Sequence, residues 1–87
     1  MEITNPDPIH LQRVNPALNM ARFYRLSVQP TLFGETSLMR CWGRIGTRGQ
    51  GMMETFTDPG AAAAALTRLA AQKRRRGYLA LSAIRAH

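Results

Sequence analysis

The sequence holds one cysteine, one lysine and only five carboxylate side chains. A lone thiol closes no internal disulfide and cannot by itself build a cysteine-ligated zinc site, a pattern suited to a reducing cytoplasm. Long apolar runs are also missing. The longest, Ala61 to Leu66, covers less than two helical turns and is far short of a membrane span. The opening Met-Glu-Ile-Thr-Asn-Pro-Asp-Pro has neither the basic nor the apolar stretch of a secretory leader. A cytoplasmic protein without a membrane partner is therefore expected. The acids Glu2, Asp7, Glu35, Glu54 and Asp58 form no pair with metal-ligand or acid–base spacing, and His10 and His87 lie at opposite ends. No nucleophile has an evident base beside it. These absences argue against an enzyme, a metal centre or a bound cofactor.

What is abundant is arginine. Eleven of the twelve basic residues are Arg, and the formal charge is +7 over 87 residues. An apolar fraction of 45% is that of a globular chain, so the charge belongs on a folded surface that attracts polyanions. The planar guanidinium forks onto phosphate in a way an ammonium cannot reproduce. Arginine in place of lysine is also what a GC-rich bacterial genome produces.

The length suits one small domain over residues 9–82, between an unstructured lead-in at 1–8 and a tail at 83–87. Ile9 to Val14 form a short strand, Asn15-Pro16 open a turn completed by Ala17 to Asn19, and Arg22 to Val28 alternate as a half-buried strand. Pro30 to Glu35 interrupt. A third strand runs from Thr36 to Ile45, glycines at 46, 49 and 51 permit a hairpin loop, and Met52 to Phe56 return. Asp58-Pro59 is a strong helix start, the carboxylate capping a free N–H and proline at the first position surrendering a donor that had no partner. Ala62, Leu66, Leu69, Ala70 and the stem of Lys73 then fall on one stripe, and Gly77 ends the helix. Tyr78 to Leu81 add a last short strand. The expected fold is α+β, an antiparallel sheet of four to five strands with one helix across one face.

The run Arg40-Cys41-Trp42-Gly43-Arg44 carries the sharpest signal. A strand's period of two puts Leu38, Arg40, Trp42 and Arg44 on one face and Met39, Cys41 and Ile45 on the other. The second set is compact and apolar, so it is expected to face the core, leaving the only tryptophan as a plate between two guanidiniums. Two ordinary alternatives stand beside this: Trp42 as a core residue, and both arginines stacked on the ring without any ligand. Tyr24 and Tyr78 are read as aromatics of the core edge.

Trp42-Gly43-Arg44, followed by Ile45-Gly46 and Gly49-Gln50, resembles the signature of the WGR domain family. Arg22-Phe23-Tyr24 matches that family's basic residue and two aromatics in an early strand. Ala65, Lys73, Gly77 and Tyr78 match its alanine-bearing helix closing on a lysine and a Gly-Tyr pair. The resemblance runs from His10 to Leu81. It implies a compact sheet with one helix that, in DNA-activated poly(ADP-ribose) polymerases, binds DNA at or near strand breaks; small stand-alone bacterial members share the domain. By motif position, the resemblance implies contact with sugar for Trp42, and contact with phosphate or with an adjoining domain for Arg44 and Arg22. Break-binding members often carry asparagine just before that basic residue, whereas Ala21 stands here and the nearest asparagine is Asn19.

The residues and the resemblance together lead to a non-catalytic module that holds the DNA sugar-phosphate backbone near ends or breaks with little sequence specificity. Arg40 pairs with phosphate beside Arg44. Arg48 and Gln50 reach out from the hairpin loop, and Lys73 and Arg75 extend the field from the basic helix end. RNA is a lesser variant of the same mode, since a single stacking aromatic does not distinguish sugars. A different class of function, docking of an acidic protein partner or a second copy on the same Trp/Arg face, is separated from it by whether binding survives nuclease. Oligomeric state is left open.

Overall fold

The computed structural model describes residues 7–80, so the expected tail and most of the lead-in lie outside the described residues. Strands β1 (Ile9–Asn15), β2 (Met20–Pro30), β3 (Thr36–Arg44) and β4 (Gln50–Phe56) precede helix α1 (Pro59–Arg75), and β5 (Leu79–Ala80) follows it. They form a five-stranded sheet in the order β4-β3-β2-β1-β5, antiparallel at every pairing. This is the expected α+β architecture.

The boundaries follow local chemistry. Between β1 and β2 the expected loop is a 3-10 turn at Pro16–Leu18, closed by Asn19 in the left-handed region at φ 51°, a conformation asparagine tolerates better than most residues. β3 stops at Arg44, one residue before the expected end. There the Thr47 amide and hydroxyl both donate to the Arg44 carbonyl, at 3.0 and 2.7 Å, and turn the chain. The Asp58 carboxylate caps α1 by accepting from the Gly60 amide at 3.0 Å. At its far end Gly77 adopts φ 98°, and its amide donates to the Arg74 carbonyl at 3.0 Å. The Tyr78 amide donates to the Lys73 carbonyl at 3.1 Å. These two bonds are a Schellman closure, which satisfies the last carbonyls and turns the chain back toward β1.

The structure reverses the expected sidedness of β3. Leu38 is 0% exposed beneath the helix, whereas Met39 and Cys41, expected in the core, are half-buried on the opposite face and Ile45 is exposed. The cause lies in β2. Tyr24, Leu26 and Val28 are opposite Trp42, Arg40 and Leu38, and β1 adds Leu11 beside Tyr24. That row is the larger apolar surface, so α1 settles on it, closing Ala62, Ala65, Leu66 and Ala70 over the sheet. Alanines at the contact allow close approach, and Leu69 packs at the edge as the stripe requires. Arg40, on the core face, resolves the conflict by running to the rim. Its Nε donates to the Tyr24 hydroxyl at 3.0 Å and its Nη1 lies 3.6 Å from the Met52 sulfur.

Glycines 43 and 49 fix the entry to the hairpin loop. A Cβ on Gly43 would sit 2.7 Å from the Gly49 Cα. One on Gly49, already at φ 74°, would meet the Trp42 carbonyl oxygen and the Phe23 ring. Side chains are excluded where these two backbones cross.

Candidate nucleic-acid interface

Helix α1 packs on β2, β3 and β4, and the buried row beneath it sets the limit of the core. Trp42 lies at that limit, half-buried and packed against the edge of the core. Its ring is nearly parallel to that of Tyr24, 16° apart with centroids at 6.0 Å. Tyr78, delivered by the helix closure, meets Tyr24 edge-on at 6.3 Å. The indole is therefore neither the free plate expected from β3 nor a central core residue. It is one wall of an aromatic step whose floor is the buried Tyr24.

Cations surround this step. Arg22, Tyr24, Trp42, Arg44, Lys73 and Tyr78 line one cleft of ≈ 540 Å³. The Lys73 ammonium stands 4.5 Å over the Tyr24 ring and 5.9 Å from that of Tyr78, a cation–π seat on two faces. Burial holds its pKa below the ordinary 10.5, and the Arg76, Arg40 and Arg22 guanidiniums push it further in the same direction. Among the described residues, the charges that shift it are all positive. Arg44 is anchored by Asn19: its Nη1 donates to the Asn19 carbonyl at 3.1 Å and its Nη2 to the Asn19 side-chain oxygen at 3.3 Å. Asn19, two residues before Ala21, thus positions the arginine of the Trp-Gly-Arg run.

The expected site residues separate into two groups. Trp42, Arg44, Arg22 and Lys73 come together in the cleft. Arg40 lies outside that lining, over the Trp42 ring at 5.9 Å, so only one of the two flanking arginines stacks on the indole. Gln50 is the cross-strand partner of Trp42 and is exposed, while Arg48 in the loop and Arg75 in the last helical turn are exposed apart from the cleft. Tyr24, Tyr78 and Asn19 were assigned no contact from sequence. The Gly-Tyr pair after a run of cations was the available signal for Tyr78. Among the described residues no group of three or more His, Cys, Asp or Glu could hold a metal ion, and none of their helices is long and apolar enough to cross a membrane.

A family model described as WGR domain matches residues 7–84. An uncharacterized protein, y4dW of Sinorhizobium fredii, is 45% identical over 76 residues, which are 87% of this chain and 37% of that protein. Protein YehF of Escherichia coli is 45% identical over 38 residues, 44% of this chain and 14% of the relative. A crystal structure of a Bacteroides fragilis protein superposes with a TM-score of 0.73 at 23% identity, over 85% of this chain and 19% of that one. The chain thus spans little more than a third of the longer of these two sequence matches' parent protein, and the solved structure is a likeness of fold.

Proposed function

The chain belongs to the WGR domain family, and on that premise we propose that it is a non-catalytic module gripping the DNA sugar-phosphate backbone near an end, nick or other break. Members of this family within poly(ADP-ribose) polymerases are associated with nucleic-acid binding. The observation that carries the proposal is the cleft itself: an indole and two tyrosine rings beside Arg22, Arg44 and Lys73, the lysine being shifted by burial and by three neighbouring arginines. Phosphate supplies the missing counter-charge, and the half-exposed Trp42 edge offers a sugar or an unstacked base a flat surface. A break exposes that sugar edge without the cost of unpairing a duplex. The guanidiniums and the ammonium lining the cleft are assigned to phosphate, and contacts to phosphate and sugar carry no sequence information, so little sequence specificity is expected. The lone thiol suits a cytoplasmic setting.

Titration against nicked, blunt-ended and covalently closed circular DNA at two salt concentrations tests this. Affinity should fall steeply with salt through counterion release, and nicked DNA should bind more tightly than closed circles. Trp42→Ala should weaken binding by about tenfold or more, the low-to-middle range for loss of a stacking aromatic, and Arg44→Ala should lower the salt slope by about one. Equal weak binding by the wild type and both variants refutes the site.

A further inference from the structure

A third arginine belongs to the same surface, and it emerges only from strand register. Arg13 in β1 is the direct partner of Arg22 in β2, and Arg22 is the direct partner of Arg44 in β3. Three neighbouring strands therefore carry a row of arginines on the helix-bearing face, at right angles to the strands. Like charges set directly opposite one another weaken a sheet, and here the opposition occurs twice in succession. Two strand spacings separate the ends of the row by roughly 10 Å.

The outer members of the row meet different surroundings. Arg44 is tied to Asn19, beyond the start of β2. The Arg13 side chain leads to the helix end, where its Nε lies 3.2 Å from the position a Cβ on Gly77 would take. Glycine at 77 thus leaves room for the arginine as well as for the turn. Arg13 and Arg44 thus rest against different neighbours, the helix closure and Asn19.

We infer that Arg13 is a backbone-binding residue and that the bound strand runs across β1, β2 and β3, with Arg13 and Arg44 on different phosphates and Arg22 between them. The inference rests on the nucleic-acid reading above. It adds a residue and a direction: the strand passes the Trp42 step at right angles to the ribbon that carries Trp42. An arginine at a helix C-terminus also meets the negative end of the helix dipole. That structural role alone would leave the ionic-strength dependence of binding unchanged, which makes salt the deciding variable.

The experiment is fluorescence anisotropy with a nicked duplex across a salt series, using the full chain, Arg13→Gln and Arg13→Met. The methionine variant keeps the apolar stem beside Gly77 should the glutamine variant fold poorly, and a thermal melt accompanies each. The expected result is a slope of log K against log salt reduced by about 0.9, the value of one phosphate contact on duplex DNA, with Arg13→Lys restoring it. A neutral methylphosphonate is then moved position by position along both strands beside the nick. The position whose neutralisation no longer matters in Arg13→Gln should differ from the one silenced in Arg44→Ala. An unchanged slope in both neutral variants overturns the inference, and so does a single shared position. Failure of Trp42→Ala and Arg44→Ala to weaken binding would instead overturn the nucleic-acid reading itself.

Discussion

Alanine at Leu38 and alanine at Met39, made separately, differ by one position in the same strand but act on opposite faces of the sheet. Leu38 is 0% exposed and among the largest fully buried side chains, flanked by Val28 across the strand pair and covered by the helix. Truncation there loses the transfer free energy of the removed carbons and leaves a void that alanine-rich α1 cannot fill without moving, so the loss should be about 3 kcal/mol, within the range for buried leucines. A domain of this size has roughly 4–13 kcal/mol in total. Met39 is half-buried on the open face, where the same truncation should cost about 1 kcal/mol or less, because much of its surface is already in water. Both variants lose a similar amount of strand propensity, so the difference isolates burial. Urea unfolding followed by tryptophan fluorescence reads it. With a slope near 1–2 kcal/mol per molar for a small domain, Leu38→Ala should lower the midpoint by about 2 M and Met39→Ala by at most about 0.5–1 M. Equal shifts, or a larger one for Met39→Ala, would refute the placement of the helix and with it the geometry of the cleft.

Two further outcomes follow from the cations. Arg22→Gln removes the middle of the row facing Arg13 and Arg44, so it should stabilise the fold by about 0.5–1 kcal/mol at low ionic strength, seen as a melting temperature higher by about 2–8 °C, with the gain fading in molar salt; a destabilised variant at low salt contradicts this. Because the Lys73 pKa is lowered by burial and then by Arg76, Arg40 and Arg22, the unfolded chain binds more protons than the folded one between that lowered value and 10.5, so this group makes stability rise with pH across that window. A polyanion in the cleft raises the same pKa, so complex formation there takes up protons and weakens as pH rises; calorimetry in buffers of different ionisation enthalpy should detect the uptake in wild type and a smaller one in Lys73→Arg, which stays charged throughout.

Local chemistry was readable in the sequence wherever a single segment decides it. Asp58-Pro59 and Gly77 mark the ends of the helix because capping involves only adjacent backbone groups. Alternation located the strands. The buried face of β3 was not readable from β3, since Arg40 and Arg44 argue for solvent while Met39, Cys41 and Ile45 argue for the core. The decision belongs to the whole sheet: Tyr24, Leu26 and Val28 in β2 outweigh the local pattern, and the sheet can turn only one face to the helix. The same reason concealed Arg13. Its place opposite Arg22 depends on how many residues the Pro16–Leu18 turn consumes, and a shift of one would send its side chain to the other face. The strand pattern alone makes Tyr24 an aromatic of the core edge, whereas the sheet buries it. It is at once core, through its contact with the helix-covered row, and floor of the cleft, through Trp42 and Lys73.

Where a fold breaks its own local rules, a functional site is the usual reason. The far end of this sheet obeys the rules: Val28 and Leu38 are opposed, buried and uncharged. Toward the opposite end the same pair of strands places arginine opposite arginine, then extends the conflict to a third strand. Asn19 orients one of these side chains and Gly77 makes space for another, so the arrangement is positioned and not merely tolerated. A lysine seated over two tyrosine rings, with cations behind it, adds to the same field. Each of these groups would be better satisfied beside an anion than in the free protein, and one ligand could satisfy several at once only if it carried repeated negative charge along a line. A backbone of successive phosphates has that form, while a single acidic side chain or a free phosphate does not.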